Sequence, residues 1–246
     1  MTDATLAVDG VSFGFGDVSI LDDVTATLDA GHLTALVGPN GAGKTTALEL
    51  LAGLRAPDAG TVTRPDGGAR SVAYLPQSPQ FRSGFTVRET VAFYADLVDA
   101  DTDPAALLDR VGLAGAADRR VEALSGGMTR LLGLAQALVG DPPVVVLDEP
   151  TSGLDPDVAD HIFGVASDLA TDDRLVVLAS HDLAAVEARA DRVVLLADGA
   201  LALDGAPADL LAETGAETLR DAFSQTVRAT DRSSVDVRAV RPGGDA

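Results

Sequence analysis

Gly38-Pro39-Asn40-Gly41-Ala42-Gly43-Lys44-Thr45 decides the reading of this chain. The segment fits G-x-x-x-x-G-K-[ST], the pattern of a phosphate-binding loop. Glycines leave room for backbone N–H groups to converge on phosphate oxygens, and a helix that follows turns its positive N-terminal end toward the same point. Lysine supplies a compact charge on a flexible stem, which arginine's planar fork does not replace. Lys44 is the only lysine among 18 basic residues, so a chain that uses arginine everywhere else keeps lysine here. Thr45, with Thr46 behind it, provides the hydroxyl that a phosphate-bound Mg²⁺ requires.

Outward from this loop the flanking pattern agrees. Leu33–Val37 reads as a buried strand entering it, and Lys44–Leu54 repeats apolar residues at helical spacing until Pro57 and Gly60. Upstream, Thr5–Val8, Ser19–Leu21 and Val24–Leu28 are predicted strands. Downstream, Ser71–Leu75 is predicted as a strand, and Val87–Val98, Ala105–Val111 and Met128–Val139 as helices. Val144–Leu147, a helix over 156–170, Leu175–Ala179, a helix over 182–189, and a hairpin of Val193–Ala197 with Ala200–Leu203 complete the pattern. Apolar strands alternating with helices imply an α/β fold around a mostly parallel sheet covered on both faces. The helical block at about 78–139 reads as a lobe inserted between core strands, and residues 228–246 as a polar, loose tail.

Composition narrows the function. Apolar residues make up 46% of the 246 residues and aromatics only 4%, so the core must be built from Ala, Val and Leu. With 38 acidic against 18 basic residues the formal charge is −20, which disfavours nucleic acid as a partner. Such acidic, lysine-poor composition resembles that of salt-loving archaea, where a Debye length of about 3 Å at molar salt screens the self-repulsion. A GC-rich genome would explain arginine over lysine but not the excess of acids. The absence of cysteine rules out disulfides and thiolate metal sites. No apolar run reaches the ~20 residues of a membrane span, and Met1-Thr2-Asp3-Ala4 does not start a signal peptide. A cytoplasmic protein is expected, reaching a membrane only through a partner.

A second element is Val144-Val145-Val146-Leu147-Asp148-Glu149-Pro150. Four apolar residues form a buried strand whose carboxylates emerge at its C-terminal end, where ligands sit in such sheets. Asp148 suits Mg²⁺, and Glu149 is placed to activate a water as general base.

The third element, Leu124-Ser125-Gly126-Gly127-Met128 before a helix, resembles the LSGGQ signature of the nucleotide-binding subunits of ABC transporters. Other motifs of that family follow in order. Gln77 resembles the Q-loop glutamine, Ser152-Gly153-Leu154-Asp155 the D-loop, and Ser180-His181-Asp182 the switch-histidine segment; Phe15-Gly16 stands where an aromatic stacks on adenine. Three positions depart from the family: Phe15 for tyrosine, Met128 for glutamine, and Leu131 where many members have arginine.

The resemblance implies a P-loop NTPase core with an antiparallel N-terminal β subdomain, an inserted helical subdomain, and an ATPase domain over 1–227. It implies that ATP is held by Phe15, Gly38, Pro39, Asn40, Gly41, Ala42, Gly43, Lys44, Thr45, Thr46, Ser125, Gly126, Gly127 and Asp155. Thr45, Gln77 and Asp148 would hold Mg²⁺, with Glu149, His181 and Lys44 catalytic. It further implies a head-to-tail dimer, in which Ser125 and its glycines serve another subunit's ATP, and a separate membrane permease as partner. Gly133–Leu138, Val111–Leu113, Ala117–Val121 and Leu219–Phe223 are similar to ATPases of ABC-2-type exporters, including the subgroup for copper-site maturation of nitrous-oxide reductase. A soluble family member without a permease is the alternative. Two-domain translation factors and coiled-coil repair proteins fit less well, because the chain has one ATPase domain and a short interval from Lys44 to Ser125.

Overall fold

A computed structural model of the chain describes residues 5–67 and 69–239. Among the described residues, nine strands form two sheets. β1 (Leu6–Phe15), β2 (Val18–Leu28) and β4 (Ala59–Thr63) make an antiparallel sheet with β1 in the centre. The second sheet has the order β5-β6-β7-β3-β8-β9, from β3 (Leu33–Val37), β5 (Val72–Leu75), β6 (Val144–Asp148), β7 (Leu175–Ala179), β8 (Arg192–Ala197) and β9 (Ala200–Gly205). Its strands pair in parallel except β8 with β9, which close as a hairpin around Asp198-Gly199.

The parallel strands are apolar throughout because both faces are covered. Leu33, Ala35, Val37, Val145, Leu147, Val176 and Leu178 point into one core cluster; it also takes in α4 (Gly126–Leu138), α5 (Pro156–Leu169) and α6 (Leu183–Arg189). Their alternate neighbours, Leu36, Val144, Val146, Leu175 and Val177, point to the other face. There they meet α1 (Lys44–Leu51) and the inner face of the antiparallel sheet through Leu6, Val8, Leu21 and Leu48. The period of two in the strands thus sorts one sequence into two cores.

Between β5 and β6 the chain forms α2 (Val87–Leu97), α3 (Pro104–Arg110) and α4. Thr86 and Glu89 form a reciprocal capping box at the start of α2, satisfying two otherwise orphaned N–H groups. Asp103 caps α3 and Ser125 caps α4.

Several boundaries differ from the sequence expectation. The predicted Ser19–Leu21 and Val24–Leu28 are one strand: Asp23 adopts φ 50° at an irregularity, and its N–H donates to Ser12 Oγ, so pairing with β1 bridges the polar break. β4 lacks alternation and exists through its register with β1. α1 stops at Leu51, while α4 starts at Gly126 because Ser125 caps it. The C-terminal region adds α7 (Pro207–Thr214) and α8 (Leu219–Ala239). Instead of a loose tail from 228, the α8 backbone is helical through Ala239, anchored at its start by buried Leu219 and Ala222; residues 240–246 lie outside the described residues.

Candidate functional site

The loop after β3 is shaped by what its glycines avoid. A Cβ on Gly38 would come within 2.3 Å of the Leu196 carbonyl oxygen, so only glycine fits between β3 and β8. Gly43 precedes α1 at φ 96°, a left-handed conformation that turns the chain into the helix without a Cβ penalty. Lys44 is buried, and its Nζ donates to the carbonyl oxygens of Gly38 (2.9 Å) and Pro39 (3.2 Å). These are weaker partners than a phosphate oxygen, and the charge is held where an incoming anion meets it.

β6 delivers Asp148 next to this helix. Its carboxylate is 3% exposed and accepts from Thr45 Oγ1 at 3.3 Å and from Tyr74 Oη at 3.2 Å. Burial holds the Asp148 carboxyl above its ordinary range; the two hydroxyl bonds pull it down, and Glu149 and Glu49 add repulsion. Tyr74 is likewise pushed up, by burial and then by Asp148. Glu149 follows at φ 48°, a strained conformation for a residue with a side chain, in a turn closed by Ser152 N–H to Glu149 O. The turn sets the Glu149 carboxylate 2.5 Å from His181 Nδ1, the half-exposed imidazole presented just after β7. Gln77, two residues past β5, donates from Nε2 to Ser152 Oγ at 3.4 Å.

Asn40, Gly41, Gly43, Lys44, Thr45, Thr46, Gln77, Glu149 and His181 line one open cleft of about 620 Å³. Pro39 and Ala42 line an adjoining one of about 510 Å³ with Asp198 and Gly199. The remaining sequence-predicted residues stand apart. Phe15 sits half-exposed at the tip of the β1–β2 hairpin. Ser125, Gly126 and Gly127 form the N-terminal end of α4, and Ser125 Oγ accepts from Met128 N–H at 3.3 Å. Asp155 caps α5 by accepting from Val158 N–H at 3.1 Å. None of these is among the described residues lining the cleft. His32 and His161 bond backbone carbonyls away from it, in keeping with structural roles.

Sequence reasoning missed Tyr74 and Ile20. Ile20 walls both clefts. Tyr74 is paired in register with Val146 two positions before Asp148, and a phenol in an otherwise apolar strand beside a carboxylate strand was its available signal.

The site's chemistry follows from these types. A lone ammonium and a run of backbone amides suit a polyphosphate. A hydroxyl, a buried carboxylate and an amide are the hard oxygen donors that Mg²⁺ prefers. A carboxylate braced by imidazole suits activation of water.

Comparison with known proteins agrees with this chemistry. The family model described as ABC transporter matches residues 21–152. The chain is 35% identical over 243 residues to a Nod factor export ATP-binding protein I of Burkholderia lata, covering 89% of this chain and 80% of that protein. It is 38% identical over 240 residues to the cobalamin import ATP-binding protein BtuD of Halobacterium salinarum, covering 91% of this chain and 60% of that protein. Among solved structures, an ATP-binding subunit of an ABC transporter superposes with a TM-score of 0.76 at 25% identity, covering 90% of this chain and 98% of that one. A nucleotide-free ATP-binding cassette superposes with a TM-score of 0.72 at 23% identity, which supports the fold. With Lys44, Thr45, Glu149 and His181 lining one cleft and Asp148 bonded to Thr45 beside it, the chain belongs to the ABC transporter family and is one of its ATP-binding, ATP-hydrolysing proteins.

Proposed function

We propose that this chain is the ATPase subunit of an ABC-2-type exporter, acting head-to-tail with a second ATPase subunit on a separate membrane permease. One observation carries the reading: Lys44, Thr45, Gln77, Glu149 and His181, distant in sequence, line a single cleft, with Asp148 bonded to Thr45 beside it. Lys44 and the loop from Gly38 to Thr46 hold the triphosphate. Thr45, Asp148 and Gln77 would hold Mg²⁺, which when bound would supply positive charge to offset that of the phosphates. Glu149 takes the proton of the attacking water, and His181 keeps Glu149 oriented for it.

The position of Ser125 supports the dimer. It opens α4 at the positive end of the helix, yet it lies outside the cleft of its own chain, so this helix end suits a neighbouring subunit's phosphate. Among the described residues no helix is long and apolar enough to cross a membrane, in keeping with a separate permease. Export is favoured because the Nod factor export relative aligns over 80% of its length, against 60% for the cobalamin import relative, whose identity is higher and favours import as the second reading. The segments similar to the copper-maturation subgroup are largely core: Val111, Leu113, Leu134, Ala135, Ala137 and Leu138 are buried, so they bear on packing before cargo.

The test is Glu149→Gln with ATP and Mg²⁺ in molar KCl, followed by light scattering and phosphate release. The expected outcome is an ATP-dependent dimer with hydrolysis lost by roughly 10²-fold or more. A variant that stays monomeric at saturating ATP would refute the dimer, and one that hydrolyses ATP at the wild-type rate would refute the base.

A further inference from the structure

Phe15 is an exposed aromatic ring with an unusual amount of support. It lies at the tip of the β1–β2 hairpin, where Gly14 pairs with Ser19 and Phe15 with Val18; Ser19 lines the cleft that holds Pro39 and Ala42, and Ile20 lines both clefts. Phe13 meets it edge-to-face at 5.1 Å and 89°. The guanidinium of Arg55 lies over its ring, 5.1 Å from the centroid, and 5.8 Å from that of Phe13. Asp58 fixes the strand beneath by accepting from Gly14 N–H at 2.8 Å. Arg55 is in turn ion-paired with Glu49, which stands one turn beyond Thr45 on α1. A line of contacts therefore runs from the helix of the phosphate loop through Glu49 and Arg55 to Phe15.

We propose that Arg55 is a positioning residue for the nucleobase: clamped by Glu49, it fixes the Phe15 ring at a set distance from the phosphate loop. The inference rests on the reading of Phe15 as the surface on which the base stacks. A lone aromatic at a hairpin tip loses rotamer freedom when a base settles on it, and a ring held in advance avoids that loss. With 49% of Phe15 exposed, surface remains for a flat base. Phe15 lacks the hydroxyl of the usual tyrosine, so a planar cation against the ring is its polar means of support. Arginine is specific to this task, because its flat guanidinium stacks whereas an ammonium does not.

The test separates the base from the phosphates. Calorimetric titration of wild type, Arg55→Gln, Arg55→Lys and Phe15→Ala with ATP and with tripolyphosphate, both with Mg²⁺, reads the two parts independently. Arg55 is partly exposed, so both of its substitutions are compatible with folding, which circular dichroism checks. The expected result is that Arg55→Gln weakens ATP about fivefold and leaves tripolyphosphate unchanged, with Arg55→Lys restoring less than half of the difference. Equal losses for the two ligands, or undiminished ATP affinity in Arg55→Gln, overturn the proposal. Phe15→Ala keeps the two readings apart. If it loses ATP affinity while Arg55→Gln does not, the stacking surface stands and only the role of Arg55 falls. If Phe15→Ala binds ATP as wild type does, both fall.

Discussion

Replacing Asp148 with asparagine should make the nucleotide-free protein more stable while it removes Mg²⁺-dependent hydrolysis. Asp148 is almost fully buried, and burial lifts its carboxyl above the ordinary range even after the bonds from Thr45 and Tyr74 are counted. The folded state therefore favours the uncharged side chain. Asparagine supplies it with the same shape, its oxygen accepting from one hydroxyl and its amide donating to the other. The gain is about 1 kcal/mol, within the range of substitutions that relieve strained functional sites, and raises Tm by about 2–4 °C in a chain of this length. The sign with pH follows from linkage. A carboxyl with a raised folded-state pKa costs stability in full above that value, and the cost disappears as pH falls toward the ordinary carboxylate value. The gap between variant and wild type is thus widest near neutral pH and closes in acid. Calorimetry in EDTA without nucleotide, from pH 7.5 to 4.5, measures it. A variant that melts at or below wild type at neutral pH would refute the reasoning. Saturating ATP and Mg²⁺ should reverse the order, because the wild type alone gains the full binding free energy.

Two further substitutions probe the surroundings. Tyr74→Phe removes one of the bonds that lower the Asp148 pKa, so the acid limb of the ATPase pH profile should move upward and half-maximal Mg²⁺ should rise a few-fold; an unchanged profile would count against Tyr74 as its support. Gly133→Ala places a Cβ 2.5 Å from Leu75 Cδ1 and 3.3 Å from Pro79 Cγ, where α4 crosses the end of β5. Overpacking there should cost about 1–3 kcal/mol, read as a lower urea midpoint, and an unaltered midpoint would show that the lobe yields freely.

Elements with strong local patterning were legible in the sequence. The buried strands β3, β6 and β7 are continuous apolar runs, and helices α2 and α5 carry caps and periodic apolar faces. What the sequence concealed depends on partners. β2 continues through Asp22 and Asp23 because β1 supplies its pairing, and β4 has no pattern of its own at all. Neither α7 nor the extension of α8 to Ala239 follows from the polar composition of the C-terminal segment.

By itself the sequence determined a glycine-rich loop leading into a helix, the Asp148-Glu149 pair at the end of an apolar strand and the order of the motifs, since each is set by residue type over a few neighbouring positions. Only the tertiary structure decided which of them meet. Parallel pairing of β6 with β7 carries Glu149 to His181 across 32 positions, and the packing of α1 on the sheet puts Thr45 against Asp148. The same geometry leaves Ser125 and Asp155 as helix caps outside the cleft, and surrounds Phe15 with Phe13 and Arg55. Local chemistry is written in adjacent residues; proximity between distant ones is set by strand register and by which face of the sheet each side chain turns to.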